Sequence, residues 1–493
     1  MLSKSNLAVI GSGFAGLSAA AVLASNNHNV HVFEKNDQVG GRARRFSAEG
    51  FLFDMGPSWY WMPDVFEKFF NRFGHSVSQF LELKKLDPGF QIIFGENDTM
   101  VIPAEWDELV ALFENIEMGS AKKLEKFMAE AKYKYDVGVN DLVYQPGLSL
   151  FELLQPKLAS GVFKLQVFSS FRKHVRKFFK SPKLIALMEF PVLFLGAMPK
   201  DTPALYSLMN YAGLKLGTYY PMGGFGKVID AMKEVAIEKG AIFHTSEPVS
   251  ELKVSNGKVI HVSANGNSMD VDGVIGTADY HHIEQSLLPE KFRSYNEAYW
   301  DKKVFAPSCL LFYLGVNKKI EKLIHHNLFF DEDLEPHAHE IYKSKQWPVK
   351  PLFYVCCPSK TDPEVAPEGM ENLFILMPIA PGLQEDEELK EYYFNLMLDR
   401  IEKYTGMNIR ENIIYNRSYS VSNFIEDYNA YKGNAYGLAN TLLQTANLKP
   451  RLKSKKLSNL FFAGQLTVPG PGVPPSIISG QVAAKELLKT IKS

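Results

Sequence analysis

At 493 residues, 46% of them apolar and 13% aromatic, the chain is too long for one core and implies two or three domains. A formal net charge of −1 gives no global field for nucleic acid, and none is expected as a partner. Cys309, Cys356 and Cys357 cannot build a disulfide framework and contain no CxxC. With the 12 histidines they show no metal-ligand spacing, so no metal is expected and a reducing, cytoplasmic setting is.

Leu7–Ile10 reads as a short buried strand that runs into Gly11-Ser12-Gly13-Phe14-Ala15-Gly16. Leu17–Ala24 reads as a helix, and His28–Phe33 as a second strand ending on Glu34. This is a βαβ unit with Gly-x-Gly-x-x-Gly at its first turn, the pattern of a dinucleotide site. Gly11 allows the tight turn, Gly13 lets backbone approach a pyrophosphate, and Gly16 lets helix and strand pack closely. The helix start supplies free N–H groups and partial positive charge, and Glu34 can accept from ribose hydroxyls. The stretch from Leu7 to Ala24 carries no charge, yet its three glycines suit a phosphate turn rather than a signal peptide or membrane span.

Val39-Gly40-Gly41-Arg42 follows the acid, with Lys35 between, and Asp54-Met55-Gly56-Pro57-Ser58 comes soon after. In these motifs the chain resembles the flavoprotein superfamily of amine oxidases, protoporphyrinogen oxidases and carotenoid desaturases. The resemblance implies tightly bound FAD rather than exchangeable NAD, with the Asp54–Ser58 segment near the flavin ring.

Trp59-Tyr60-Trp61-Met62-Pro63 leads into a helix over Val65–Phe73. Turns at Asp87-Pro88-Gly89 and Gly95-Glu96-Asn97-Asp98 make Leu83–Pro103 rich in hairpins. Glu105–Val139 then reads as charged helix at 3.6 periodicity. From Lys164 to Lys183 no acid occurs, and helical spacing puts Val167, Phe168, Phe171, Val175, Phe178 and Phe179 on one face. Arg172, Lys173, Arg176, Lys177 and Lys180 take the other face. Two outcomes fit equally: a helix lying on an anionic membrane, or an aromatic face packed on the core beneath solvated charges. Leu184–Met198, apolar except at Glu189, suggests the lining of a greasy cavity.

Lys227–Lys239 reads as a helix ending at Gly240, and Asn256-Gly257 and Asn265-Gly266 as the turns of a three-stranded meander before a buried strand, Val271–Ile275. His281-His282, after Ala278-Asp279, reads as polar loop rather than catalytic. The resemblance implies that this block completes the FAD domain, with Pro248-Val249 on the adenine side. The family pattern has Asn where this chain has Thr277. Cys309–Val316, Leu352–Cys356 and Asn372–Met377 read as strands of a second, larger sheet, and Glu385–Tyr404 as a helix covering it.

Near the C-terminus, Asn459–Ala463 enters a glycine turn at Gly464-Gln465. A rigid loop, Thr467–Ser476, contains Gly472-Val473-Pro474, and Ile477–Lys489 reads as a helix. With GxFDMGPSWYxMP near the start and Thr202–Met209 between, the chain is similar over its full length to the bacterial phytoene-desaturase-type carotenoid desaturases. Its overall likeness is to flavobacterial members of the 1-hydroxycarotenoid 3,4-desaturase branch. That implies an α/β fold with a Rossmann-type FAD domain (1–70, 221–290 and 450–493), a mixed-sheet substrate domain (71–110 and 291–449) and a helical, membrane-associating subdomain (111–220).

The resemblance implies that Gly464 and Gln465 approach the FAD phosphates, while Gly472, Val473 and Pro474 lie by the ring. It also implies a long apolar carotenoid substrate, hydride transfer to flavin N5 and oxygen or quinone as electron acceptor; with the basic segment read as membrane-facing, attachment to the inner face of the cell membrane is expected. No residue stands in a motif that demands a general base. Phytoene desaturation, redox-neutral carotenoid isomerisation and non-enzymatic prenyl-lipid binding stay open as alternatives. Amine oxidase activity lacks its flavin-linked cysteine and aromatic cage.

Overall fold

The computed structural model describes residues 4–140, 142–147, 165–167, 169–441, 443–445 and 448–492. Its organising layer is a five-stranded, all-parallel sheet in the order Leu460–Phe462, Gly273–Gly276, Asn6–Ile10, Asn29–Phe33 and Ala241–His244. Parallel strands buried on both faces read as continuous apolar runs, and Leu7, Ala8, Val9, Val274 and Ile275 are fully buried.

Helix Phe14–Ala24 follows the first strand and is buried along its whole length. It is wedged against helices Phe225–Glu238 and Val473–Lys492. One glycine permits the contact with Val473–Lys492, and another the tight turn into the helix. A Cβ on Gly480 would collide with the Ala15 carbonyl, and one on Gly16 with the Gly11 carbonyl. Helix Val473–Lys492 begins earlier than the Ile477 expected from sequence, because Pro474 and Pro475 occupy its first turn, where no N–H partner is needed. The His281-His282 pair belongs to a short helix, Tyr280–His282, rather than a loop. The meander forms as its turns require: Asn256 and Gly257 have φ of 48° and 70°, Asn265 and Gly266 46° and 76°.

The second sheet has seven strands in the order Ile413–Tyr419, Ser308–Val316, Glu371–Ile379, Phe353–Cys356, His326–Phe329, Phe90–Gly95 and Asp98–Ile102. Its side chains alternate cleanly. Leu310, Phe312, Leu314, Leu373 and Ile375 face a core with Met397, Leu398 and Ile401 of helix Glu387–Thr405. Cys309, Leu311, Phe374, Tyr354 and Leu328 face the other way, toward the interior shared with the parallel sheet.

The charged stretch after Glu105 is two helices, Trp106–Ile116 and Ser120–Asn140, separated at Gly119 with φ of 78°. The basic segment forms helix Phe171–Phe178, and its aromatic face is packed. Phe171, Val175 and Phe179 are fully buried, and Phe127 contacts both Phe178 and Phe179. Phe168 lies outside the described residues. Arg176 pairs with Glu189 at 3.2 Å, and Arg172 pairs with Glu335. The aromatic face is therefore packed on protein, and of the five basic residues Lys173, Lys177 and Lys180 remain exposed without a carboxylate partner among the described residues. Among the described residues no helix is long and apolar enough to cross a membrane.

Gly480→Ala should lower stability by about 1–3 kcal/mol, since the added methyl has no room against the Ala15 backbone. Thermal unfolding followed by fluorescence measures this; an unchanged midpoint would show that the two helices separate freely.

Candidate functional site

One cavity of about 480 Å³ reaches from the first glycine turn to the inner face of the seven-stranded sheet. At the turn end it is lined by Gly11, Gly13, Phe14 and Ala15. Helix Phe14–Ala24 has Gly13 as its N-cap and no side-chain cap, so its first-turn N–H groups are not satisfied by a capping oxygen. Space beside Gly13 is open, the nearest atoms to a Cβ there being 3.9 Å away on Gly40 and Gly41. Gly11, with φ of 99°, turns beneath Thr277, whose hydroxyl donates to the Gly11 carbonyl at 2.7 Å. Thr277 thus fastens the turn from the neighbouring strand.

Glu34 lies at the end of the second strand, buried, and accepts from Ser12 N–H at 3.0 Å and Ser12 Oγ at 2.6 Å. Lys35 lines the same wall with its ammonium on the Glu426 carbonyl, and Pro248 and Val249 close this end. Gly40 and Gly41 lead to Arg42, which donates to the Asn434 carbonyl at 3.1 Å and lies 5.1 Å over the Tyr428 ring. Its Nε is buried without a partner. Burial pulls the Arg42 guanidinium down and pushes the nearby Asp279 carboxyl up, each opposed by the other's charge. An uncapped helix start, an open glycine cradle and a buried, incompletely paired guanidinium together suit a pyrophosphate.

In mid-cavity, Met55, Gly56, Pro57 and Ser58 face Gly464, Gln465, Gly472, Val473 and Pro474 across the space. The first segment is anchored by Asp54, which accepts from the N–H groups of Phe225 at 2.6 Å and Gly226 at 3.0 Å. Burial raises the Asp54 carboxyl to about 6. The second is fastened by Ser479 Oγ, which donates to the Val468 carbonyl at 2.6 Å and accepts from Gly464 N–H at 3.0 Å.

The far end is an apolar chamber. Trp59, Trp61, Phe190 and Leu193 form one wall, with Leu311, Leu328, Phe374 and Leu376 of the sheet opposite. His337 is locked in that wall, Nε2 on the Pro378 carbonyl at 2.8 Å and Nδ1 accepting from Leu352 N–H at 3.0 Å. Tyr354 joins the sheet to the Asp54–Ser58 segment: its hydroxyl meets Ser58 Oγ at 3.0 Å and His326 Nδ1 at 2.7 Å.

Sequence spacing offered no metal set, yet the sheet brings single ligand atoms of His325, His326 and Cys356 within 4.8 Å of one another. Their Nδ1 atoms are engaged by Thr361 and Tyr354, and burial pushes the Cys356 thiol up to about 12. The Nδ1 atoms of His325 and His326 are thus satisfied, while their Nε2 atoms are buried without a partner.

Every candidate cofactor-binding residue named from sequence lines this cavity except Gly16, which faces the Gly11 carbonyl instead. What sequence reasoning missed is the 421–436 segment, where Asp427 and Tyr428 close the cavity's side and Asp427 holds Arg44 at 2.5 Å. No glycine motif marks it. Tyr354 and His326 were missed too, since only strand register makes them neighbours.

The profile of the family "Flavin containing amine oxidoreductase" matches residues 14–488. A carotenoid 3,4-desaturase of Haloarcula japonica is 40% identical over 491 residues, covering 99% of both chains. A zeta-carotene-forming phytoene desaturase of Myxococcus xanthus is 29% identical, over 98% of this chain and 93% of that one. Among solved structures, an oxidoreductase from Methanosarcina mazei (TM-score 0.62, 17% identity, 96% of this chain and 98% of that one) shares the fold. So does cyclohexylamine oxidase from Brevibacterium oxydans (TM-score 0.60, 15% identity, 100% of each chain). The chain therefore belongs to the flavin-containing amine oxidoreductase family, on its carotenoid-desaturase branch, and is an oxidoreductase whose cofactor is FAD.

Proposed function

We propose that this protein introduces a C=C bond at the 3,4-position of an acyclic carotenoid, with a 1-hydroxylated end as the preferred group. The observation that carries this is the single cavity: a polar dinucleotide cradle at one end opens directly onto an aromatic chamber at the other. The resemblance to a carotenoid 3,4-desaturase along the whole chain supports the same chemistry.

Gly11–Ala15 and Arg42 would hold the FAD pyrophosphate, Glu34 the ribose, and Val249 the adenine side. Gly464 and Gln465 would approach the phosphates, with Met55–Ser58 and Gly472–Pro474 on the ring. Bound FAD supplies a two-electron hydride acceptor at N5. The chain does the rest by position. Trp59, Trp61 and Phe190 align a polyene end and exclude water, which protects a cationic carbon from hydrolysis. Oxygen or a quinone would take the electrons onward. A carotenoid dissolves only in lipid, so the protein would work at the inner face of the cell membrane, held there by Lys173, Lys177 and Lys180 without aromatic insertion.

Given an acyclic carotenoid in liposomes, the FAD-loaded protein should release a product lighter by one pair of hydrogens and absorbing at longer wavelength. Without oxygen or another acceptor, conversion should stop at about one equivalent per flavin. Mass spectrometry of the product decides: sustained anaerobic conversion at unchanged mass would mean isomerisation and overturn the proposal.

Replacing Lys173, Lys177 and Lys180 with Gln should weaken binding to anionic vesicles by about 1 kcal/mol per residue, and wild-type binding should fall as salt rises. Vesicle co-sedimentation measures both. Adding Gln at Arg172 and Arg176 should weaken it less per residue, because Glu335 and Glu189 already hold those charges. Equal binding to neutral vesicles would contradict an electrostatic contact.

A further inference from the structure

Desaturation removes a hydride from one carbon and a proton from its neighbour, and the proton needs an acceptor. We propose, resting on the function above, that Tyr354 takes this proton as the catalytic residue and passes its own to His326.

Strand register builds the pair. His326 lies directly across from Cys356, and Tyr354, two residues along, occupies the diagonal position on the same face. Its hydroxyl lies 2.7 Å from His326 Nδ1. Tyr354 lines the cavity and touches Ser58, on the segment proposed to run by the flavin ring. His326 does not line it: the Trp59 ring stacks on the imidazole, centroids 4.0 Å apart and planes within 10°. Among the described residues that line the cavity, Tyr354 is the one whose hydroxyl contacts His326.

The other polar groups of the chamber fit less well. His337 has both nitrogens occupied by backbone. Tyr436 is backed by the Cys309 thiol, a poor acceptor that burial pushes up to about 12. Burial and the neighbouring His325 pull the His326 imidazole well down, so it rests neutral, with Nδ1 against the Tyr354 hydroxyl at 2.7 Å and the Cys356 thiol at 3.7 Å. His326 Nε2 is buried without a partner, a cost that packing alone does not explain.

The balance closes. The substrate loses a hydride to the flavin and is left as a polyene-stabilised cation, whose neighbouring C–H bond is strongly acidic. The Tyr354 oxygen accepts that proton as its own moves to Nδ1, and the C–H electron pair becomes the new C=C bond. When a quinone-type or oxygen acceptor takes the hydride equivalent from the flavin, the proton retraces the same path to complete the reduced acceptor.

The test compares wild type with Tyr354→Phe, His326→Gln and the double variant, all FAD-loaded, in liposomes containing an acyclic carotenoid. Each single variant should lower kcat about 100-fold with KM unchanged, and the double variant should be no worse, because the two act as a unit. FAD content, and carotenoid affinity of the flavin-free protein by tryptophan quenching, should match wild type. Should Tyr354→Phe lose its fold, His326→Gln decides alone, since Trp59 shields that ring from the chamber. Wild-type kcat in the variants, additive losses, or losses confined to KM or FAD content would overturn the relay. A wild type that makes no desaturated product would instead overturn the function on which the relay rests.

Discussion

The approach of helix Val473–Lys492 to helix Phe14–Ala24 is the contact on which the cavity depends. Glycine at 480 allows backbone against backbone there, its Cα facing the Ala15 carbonyl and the Ala19 N–H. That contact brings the last segment of the chain onto the first, so the Gly11–Ala15 turn and the Gly464–Pro474 loop line one space. The start of helix Phe14–Ala24 opens onto that space, so partial positive charge accumulates where a pyrophosphate would lie. A methyl group at 480 would meet the Ala15 carbonyl and strain that contact.

The seven-stranded sheet supplies the second constraint. Because side chains alternate, one face can be committed to a conventional core beneath helix Glu387–Thr405 while the other lines a chamber. The chamber face is almost wholly apolar, which suits a polyene. It also makes any polar group there conspicuous. The Tyr354 hydroxyl is satisfied there between Ser58 and His326, and it is the group the proposed relay uses.

The parts of the site legible in sequence are those where backbone must do something unusual. Glycines at 11, 13, 40 and 41 are spaced by the geometry of a strand-to-helix turn, so their pattern survives without any knowledge of the fold. The Asn-Gly pairs at 256 and 265 carry their own turn geometry in the same way. Long-range pairings left no such mark. Arg172 looked like a free cation because Glu335, far along the chain, is invisible to helical periodicity. The Phe face beside it could pack on the core or on lipid, and only the position of Phe127 decides. Gly16 belonged to the glycine pattern yet serves packing alone, while Asp427 and Tyr428 line the cavity from an unremarkable amphipathic helix, Val421–Tyr428.

The account stands or falls on one carotenoid end reaching the flavin through one cavity. An experimental structure of the protein with FAD and an acyclic carotenoid tests this most directly. The account predicts phosphates over the Gly11–Ala15 turn, the flavin ring between Met55–Ser58 and Gly472–Pro474, and the polyene end between Trp59 and the sheet within reach of Tyr354. A carotenoid bound on the outer surface, or a flavin ring walled off from the aromatic chamber, would contradict it.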